Sequence, residues 1–229
     1  MPHDVAGQAL LDYFAHGKAD PLLLHTSYGT VEEMPVDWFF RHEQDFPELE
    51  HYALSLCQGK VLDVGAGVGS HALYLQSQAV DVTALEVSTI SADIMKERGV
   101  DKVINAAYQD LPPTQYDTLL LLMNGIGLVG TLVGLKDFLR QAPSWFSQGG
   151  QLIFDSSDIA YLYEEAFPAD RYYGELRYRY EYRGQRGEWF PWLYVDADTL
   201  LTIAHAEGWH GQVVYEEDTG QHLVRLQQV

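Results

Sequence analysis

The stretch Val61-Leu62-Asp63-Val64-Gly65-Ala66-Gly67-Val68-Gly69-Ser70 decides how the chain reads. A short apolar run ends in three glycines spaced two apart, and from Ser70 the apolar residues Ala72, Leu73 and Leu75 fit the start of a helix. Strand, glycine turn, helix is the opening of an α/β unit. The turn lets a ligand approach the main chain, and the free N–H groups of the helix start favour anionic or polar ligand groups.

Working outward, the same alternation repeats. Residues 80–86 read as a second strand ending in Glu86, and Ser88 or Thr89 can cap a helix that runs through Ile94, Met95 and Arg98 to Gly99. Residues 102–106, 116–123 and 151–154 are three further short strands, and Leu135, Phe138, Leu139 and Ala142 recur at helical spacing between the last two. Strands that alternate with helices predict right-handed crossovers and a doubly wound, mostly parallel sheet of Rossmann-like type, with ligands at the carboxyl ends of its strands.

The expected organisation is a single domain: a helical N-terminal cap over 1–58, a cofactor-binding core over 59–171, an aromatic β insertion over 172–194, and a C-terminal helix and β-hairpin over 195–229. In Arg177-Tyr178-Arg179-Tyr180-Glu181-Tyr182-Arg183 polar and aromatic side chains alternate with strand period, and Gly184 and Gly187 mark a turn. Asp218-Thr219-Gly220 sits between two strand-like runs near the end of the chain.

Length and composition bound the partners. The 229 residues include 14 Lys plus Arg against 33 Asp plus Glu, a formal charge of -19 that disfavours nucleic acid and anionic membrane surfaces. A lone cysteine, Cys57, requires no oxidising compartment, and the N-terminus shows no basic segment followed by an apolar run, so the expected setting is the cytoplasm. The 18 uncharged residues from Thr118 to Leu135 contain Asn124 and four glycines, which suits a strand, loop and helix start better than a membrane span.

The glycine turn is not the dinucleotide fingerprint, because aligned on Gly65 and Gly67 the third position holds Ser70, with Gly69 one residue early. What stands here is Asp-x-Gly-x-Gly-x-Gly, with Asp63 inside the strand end. This run resembles the first motif of the class I S-adenosylmethionine (SAM)-dependent methyltransferases. The resemblance covers about residues 60–155 and implies SAM as cofactor. It implies that Asp63 helps to position the amino acid moiety of the cofactor, with Gly65, Ala66, Gly67 and Gly69 forming the cradle. Glu86, with Val87, then becomes the ribose site, Asp110 with Leu111 the adenine site, and Asn124 a group near the transferred methyl. Arg41 is a candidate partner of the cofactor carboxylate.

Methyl transfer from a sulfonium is an in-line displacement, so alignment supplies much of the rate and a base is needed only if the acceptor must lose a proton. His71 and Asp155 are the candidates for such a base; no catalytic residue is assigned. Tyr28, Trp38, Phe39, Tyr178 and Trp192 are candidates for lining an acceptor pocket. No Asn-Pro-Pro-Tyr or Asp-Pro-Pro-Tyr run follows the fourth strand, which in the family marks amino-group methylation of nucleobases or glutamine side chains, and Cys57 lies ahead of the first core strand. The nine histidines form no ligand set, so no metal is expected.

The function expected is methylation of a small organic acceptor, with a homodimer left open. Two alternatives stand beside it: an NAD(P)-dependent oxidoreductase, and a non-catalytic SAM-binding regulatory or assembly protein.

Overall fold

A computed structural model describes residues 4–163 and 166–228. In chain order its elements are α1 (Val5–His16), β1 (Leu22–Thr26), β2 (Val31–Met34), α2 (Glu48–Ser55), β3 (Lys60–Val64), α3 (Ser70–Ser77), β4 (Asp81–Glu86), α4 (Thr89–Arg98), β5 (Val103–Asn105), β6 (Tyr116–Leu121), α5 (Leu132–Gln141), β7 (Phe146–Ser157), β8 (Glu175–Tyr182), β9 (Gln185–Arg186), β10 (Phe190–Leu193), α6 (Ala197–Ala206), β11 (Trp209–Glu216) and β12 (Gln221–Gln228). Short 3-10 turns fill several of the connections, among them Val36–Phe40 and Gly125–Val129.

The main sheet has seven strands in the order β11-β12-β7-β6-β3-β4-β5. The pairs β4–β5 and β6–β7 are parallel, whereas β12 runs antiparallel to both β7 and β11. The order reverses direction after β3, the kind of switch point where doubly wound sheets bind ligands. The α/β architecture is the one the alternating pattern predicts. The strands are apolar because both faces are covered: Val61, Leu62, Leu119, Leu120, Leu152, Ile153 and Phe154 are each 0% exposed.

A second sheet, in the order β10-β8-β1-β2 with β9 on β8, corrects the expectation of a mainly helical segment over 1–58. Leu22-Leu23-Leu24-His25-Thr26 is a strand with alternating burial, antiparallel to β2 on one side and to β8 on the other, where Leu24 faces Tyr180. The insertion is therefore no independent hairpin. Its strand completes its pairing with the N-terminal hairpin, about 150 residues away in sequence.

The chain divides into two compact units that interleave in sequence: 1–46, 63–111 and 177–190 form one, and 47–62, 112–176 and 191–229 the other. In the first, the apolar face of α1 (Val5, Ala9, Leu10) buries against Ile94 of α4, Leu22 of β1, Val36, Tyr182 and Val68 of the glycine turn. In the second, the two large buried indoles, Trp145 and Trp209, pack on Phe138 and Phe146, and the Trp209 Nε1–H donates to the Leu139 carbonyl at 3.1 Å. Among the described residues no helix is long and apolar enough to cross a membrane.

Candidate cofactor site

The glycine turn leaves β3 as a string of left-handed residues, with φ of 74° at Gly65, 57° at Gly67 and 86° at Gly69. Only glycine adopts this region without cost, which is why the motif needs it at every second position. Gly69 has a further constraint: a Cβ there would lie 2.8 Å from Val100 Cγ2 and 2.9 Å from Met95 Cγ, so the residue also sets how closely the turn packs on α4. At Gly67 the nearest atom to such a Cβ, a Phe39 ring carbon, is 3.7 Å away. The turn is stitched to the next strand by Gly65 N–H and Ala66 N–H, both donating to the Leu85 carbonyl.

Asp63 is 2% exposed, and its Oδ2 has no hydrogen-bond partner within the protein. Burial pushes its carboxyl up to about 6, against the lowering influence of nearby His71. A buried carboxylate oxygen with no donor is costly unless a ligand supplies one. A cationic amino group meets that need.

Glu86, at the end of β4, is gripped by the main chain. Its Oε2 accepts Gly67 N–H at 2.9 Å and its Oε1 accepts Ser88 N–H at 2.8 Å. Those bonds lower its pKa, but burial is the larger influence and the net direction is upward. Each oxygen keeps a lone pair for a further donor. Val87, beside it, is an apolar side chain left 69% exposed, a surface suited to a flat ring. Asn105 fixes this turn by donating its side-chain amide to the carbonyls of Glu86 and Val87 at 2.8 and 3.0 Å. Asp110 ends the 3-10 turn Tyr108–Asp110 and is exposed, while Leu111 after it is buried. Asp63, the glycines, Glu86, Val87, Asp110 and Leu111 all belong to the first unit.

The 3-10 turn Val36–Phe40 lies against the glycine turn, with the Phe39 carbonyl accepting the Ser70 hydroxyl at 2.7 Å. Trp38 on that turn is 54% exposed. Arg41 donates Nε–H to the Trp38 carbonyl and stacks over Phe46. It lines a cleft of about 510 Å³ with Ser70, Leu73, Tyr74 and Ser77, a row at helical spacing on α3, and with Arg98 at the end of α4. Tyr28 sits in the β1–β2 turn with its hydroxyl on Glu32, and Tyr178 is buried in β8 beside Phe190. His71 is buried against the Phe46 ring.

In the second unit, Met123 and Asn124 follow β6 with φ of 65° and 53°, two consecutive non-glycine residues in the left-handed region. Such strain persists only where surroundings enforce it. Here the enforcer is Asp155: its Oδ2 accepts Asn124 N–H and the Gln221 side-chain amide, both at 2.9 Å, and its Oδ1 faces Gly125 N–H at 3.4 Å. The Asn124 Oδ1 accepts the Ser157 hydroxyl at 2.8 Å. Trp192 packs its indole over Gly127, where a Cβ would fall 2.1 Å from Nε1. Asp158 Oδ1 accepts the Tyr173 hydroxyl and Ala160 N–H, and no group of three metal-ligating side chains occurs among the described residues.

Reading residue by residue missed Asp4, Ser88 in its wider role, and Asn105. Asp4, three residues before Gly7, did carry a helix-capping signal. That its other oxygen reaches Ser88 is visible only in three dimensions.

No family model matches the chain. A SAM-dependent methyltransferase from Bacteroides fragilis, crystallised in complex with S-adenosyl-L-homocysteine, is 36% identical and superimposes with a TM-score of 0.92 over 99% of this chain and 95% of that one. The sugar N-methyltransferase KedS8 from Streptoalloteichus sp ATCC 53650 is 17% identical with a TM-score of 0.60, over 88% of this chain and 95% of that one, a likeness of fold alone. In sequence, a 23S rRNA (uracil(747)-C(5))-methyltransferase of Pyrococcus horikoshii is 32% identical over 114 residues, which are 44% of this chain. The match spans only 26% of that relative's length.

Proposed function

Because the chain belongs to the class I SAM-dependent methyltransferases, we propose that its acceptor is a small organic molecule and that Asp63, the glycine turn and Glu86 hold the cofactor. When bound, SAM supplies an electrophilic methyl group on a sulfonium and leaves as S-adenosylhomocysteine (SAH).

Each residue has one task. The unpartnered Asp63 Oδ2 accepts from the cofactor's ammonium group, which replaces the donor the fold does not provide. Glu86 accepts from the ribose hydroxyls with the lone pairs that Gly67 and Ser88 leave open. Val87 covers one face of the adenine, and Asp110 accepts from its exocyclic amine beside Leu111. The glycine turn lets the cofactor come against bare main chain. Asp155 holds Asn124 in place instead of acting as a base, since its oxygens are committed to main-chain and amide donors. Trp192 of β10, packed over Gly127 in the turn after β6, lines the acceptor side of the second unit.

The observation that carries the choice of acceptor is charge. With 33 acidic against 14 basic residues, the chain has no surplus of cations to neutralise a phosphate backbone. The rRNA-modifying relative is matched over a part of its length, so its substrate does not transfer with the match. Cys57, the one cysteine, turns its thiol back onto the Ala53 carbonyl of α2 and suits a reducing compartment.

Methyl-labelled SAM tests this when the protein is incubated separately with a panel of small amines, phenols and carboxylic acids and with ribosomal RNA. Label in a low-mass product with matching release of SAH is expected. Label precipitating with RNA, and none in small molecules, would replace the proposal with an RNA acceptor.

A further inference from the structure

Asp4 joins two helix starts. Its Oδ1 caps α1 by accepting Gly7 N–H at 2.8 Å, and its main-chain carbonyl accepts Gln8 N–H at 3.0 Å. Its Oδ2 accepts the hydroxyl of Ser88, which is itself the N-cap of α4 and accepts Ser91 N–H at 3.0 Å. Ser88 N–H in turn donates to Glu86 Oε1, and the other Glu86 oxygen accepts Gly67 N–H. A continuous run of hydrogen bonds thus leads from the first turn of α1, through two caps, to the acid at the end of β4 and on to the glycine turn.

The placement of charge is unusual enough to need a reason. Asp4 raises the cost of ionising Glu86 by like-charge repulsion, so packing considerations alone would favour a neutral cap. Two helix N-termini facing the same carboxylate offset that repulsion, because the partial positive charge of each stabilises an anion there. The result is a carboxylate that locks α1 and α4 to each other at the turn carrying Glu86. The apolar faces agree with this, since Val5 and Ala9 of α1 bury in the same cluster as Ile94 of α4 and Val68 of the glycine turn.

We propose that Asp4 is a positioning residue for cofactor binding: through Ser88 it ties the first turn of α1 to the Glu86 turn, so that docking of α1 and occupancy of the cofactor site stabilise each other. This rests on the reading of Glu86 as a cofactor ligand. Coupling between two sites is reciprocal, so a cofactor held by a well-placed Glu86 must also hold α1 down.

Hydrogen exchange of the full chain, with and without saturating SAH, reads the coupling directly. In the wild type, SAH is expected to slow exchange of the Gly7 and Gln8 amides as well as those of residues 65–69. In Asp4→Asn, whose side-chain oxygen can still cap Gly7 but whose second arm replaces the charged acceptor of the Ser88 hydroxyl with a neutral amide donor, SAH should slow residues 65–69 only. Its SAH affinity should fall about five- to tenfold, the size expected for one lost hydrogen bond. Ser88→Ala removes the same link from the other side and should lose affinity by a similar factor.

Melting of the ligand-free proteins separates this from a merely structural cap. A lowered melting temperature with unchanged SAH affinity in both variants overturns the proposal, as does equal slowing of Gly7 and Gln8 by SAH in wild type and Asp4→Asn. Unchanged affinity in Glu86→Gln would strike the Glu86 reading itself, a failure distinguishable from that of Asp4.

Discussion

Gly67 donates its main-chain N–H to Glu86 Oε2 at 2.9 Å, which fastens the middle of the glycine turn to the acid at the end of the neighbouring strand. The two motifs read separately in the sequence are thus one object, and Glu86 both shapes the cradle and offers lone pairs to what lies in it. Glu86→Ala is expected to weaken SAH binding by about 1.5–3 kcal/mol, the range for hydrogen bonds to a charged group. Calorimetric titration of the folded variant checks this; unchanged affinity removes the assignment.

On the proposed role of Asp63, SAH binding is expected to depend on pH. Its carboxyl is raised from 3.8 to about 6 in the folded protein. Folding therefore favours the protonated form, and this contribution to ligand-free stability is full below about pH 3.8 and is lost as pH rises through about 6. The cofactor's ammonium group requires the ionised form. SAH affinity should accordingly increase as pH rises through about 6 and then level off, and Asp63→Asn should bind weakly with little dependence over that window. Titrations from about pH 5 to about pH 8 decide it. A wild-type affinity flat across about pH 6 would detach Asp63 from the cofactor.

Two glycine-to-alanine changes in the same turn should fail differently. Gly69→Ala combines φ of 86° with contacts of 2.8 and 2.9 Å to Val100 and Met95, and is expected to cost about 2–4 kcal/mol in urea unfolding. Gly67→Ala has room on the protein side, so its stability cost should stay near 1 kcal/mol. Its methyl group instead enters the face offered to the ligand, and SAH affinity should suffer more than stability does.

Asp155 is expected to reveal itself through stability. Asp155→Ala leaves the Asn124 and Gly125 amides and Gln221 without their acceptor and should destabilise by about 3 kcal/mol. Asp155→Asn, which keeps an oxygen for those donors, should retain methyl transfer within about tenfold of wild type. A general base supplies about 10²–10⁴ in rate, so a loss of that size in a folded Asp155→Asn, together with a vanished acidic limb in the pH profile, would make Asp155 the base after all.

Much of this was legible in the sequence because it is local. Glycine spacing after Asp63, the acid ending the second strand, and Ser88 as a helix cap each depend on a few neighbouring residues, and the order of the main-sheet elements followed from their alternation. The hairpin of β1 and β2 was not legible, since Leu22-Leu23-Leu24 fits helix or strand equally and its partner, β8, lies about 150 residues on. The same applies to Trp192 over Gly127 and to Asp155 beneath Asn124, whose partners are set by tertiary packing. The cleft that Arg41 shares with Ser70, Leu73 and Tyr74 of α3 is likewise set by tertiary packing.

The most direct test of the central claim, that Asp63, the glycine turn and Glu86 hold the cofactor, is a crystal structure of the wild-type protein with SAH. The account predicts the SAH amino group within hydrogen-bond distance of Asp63 Oδ2, both ribose hydroxyls on Glu86, and the adenine against Val87. SAH bound elsewhere, with Asp63 Oδ2 still unpartnered and Glu86 touching only Gly67 and Ser88, would contradict it.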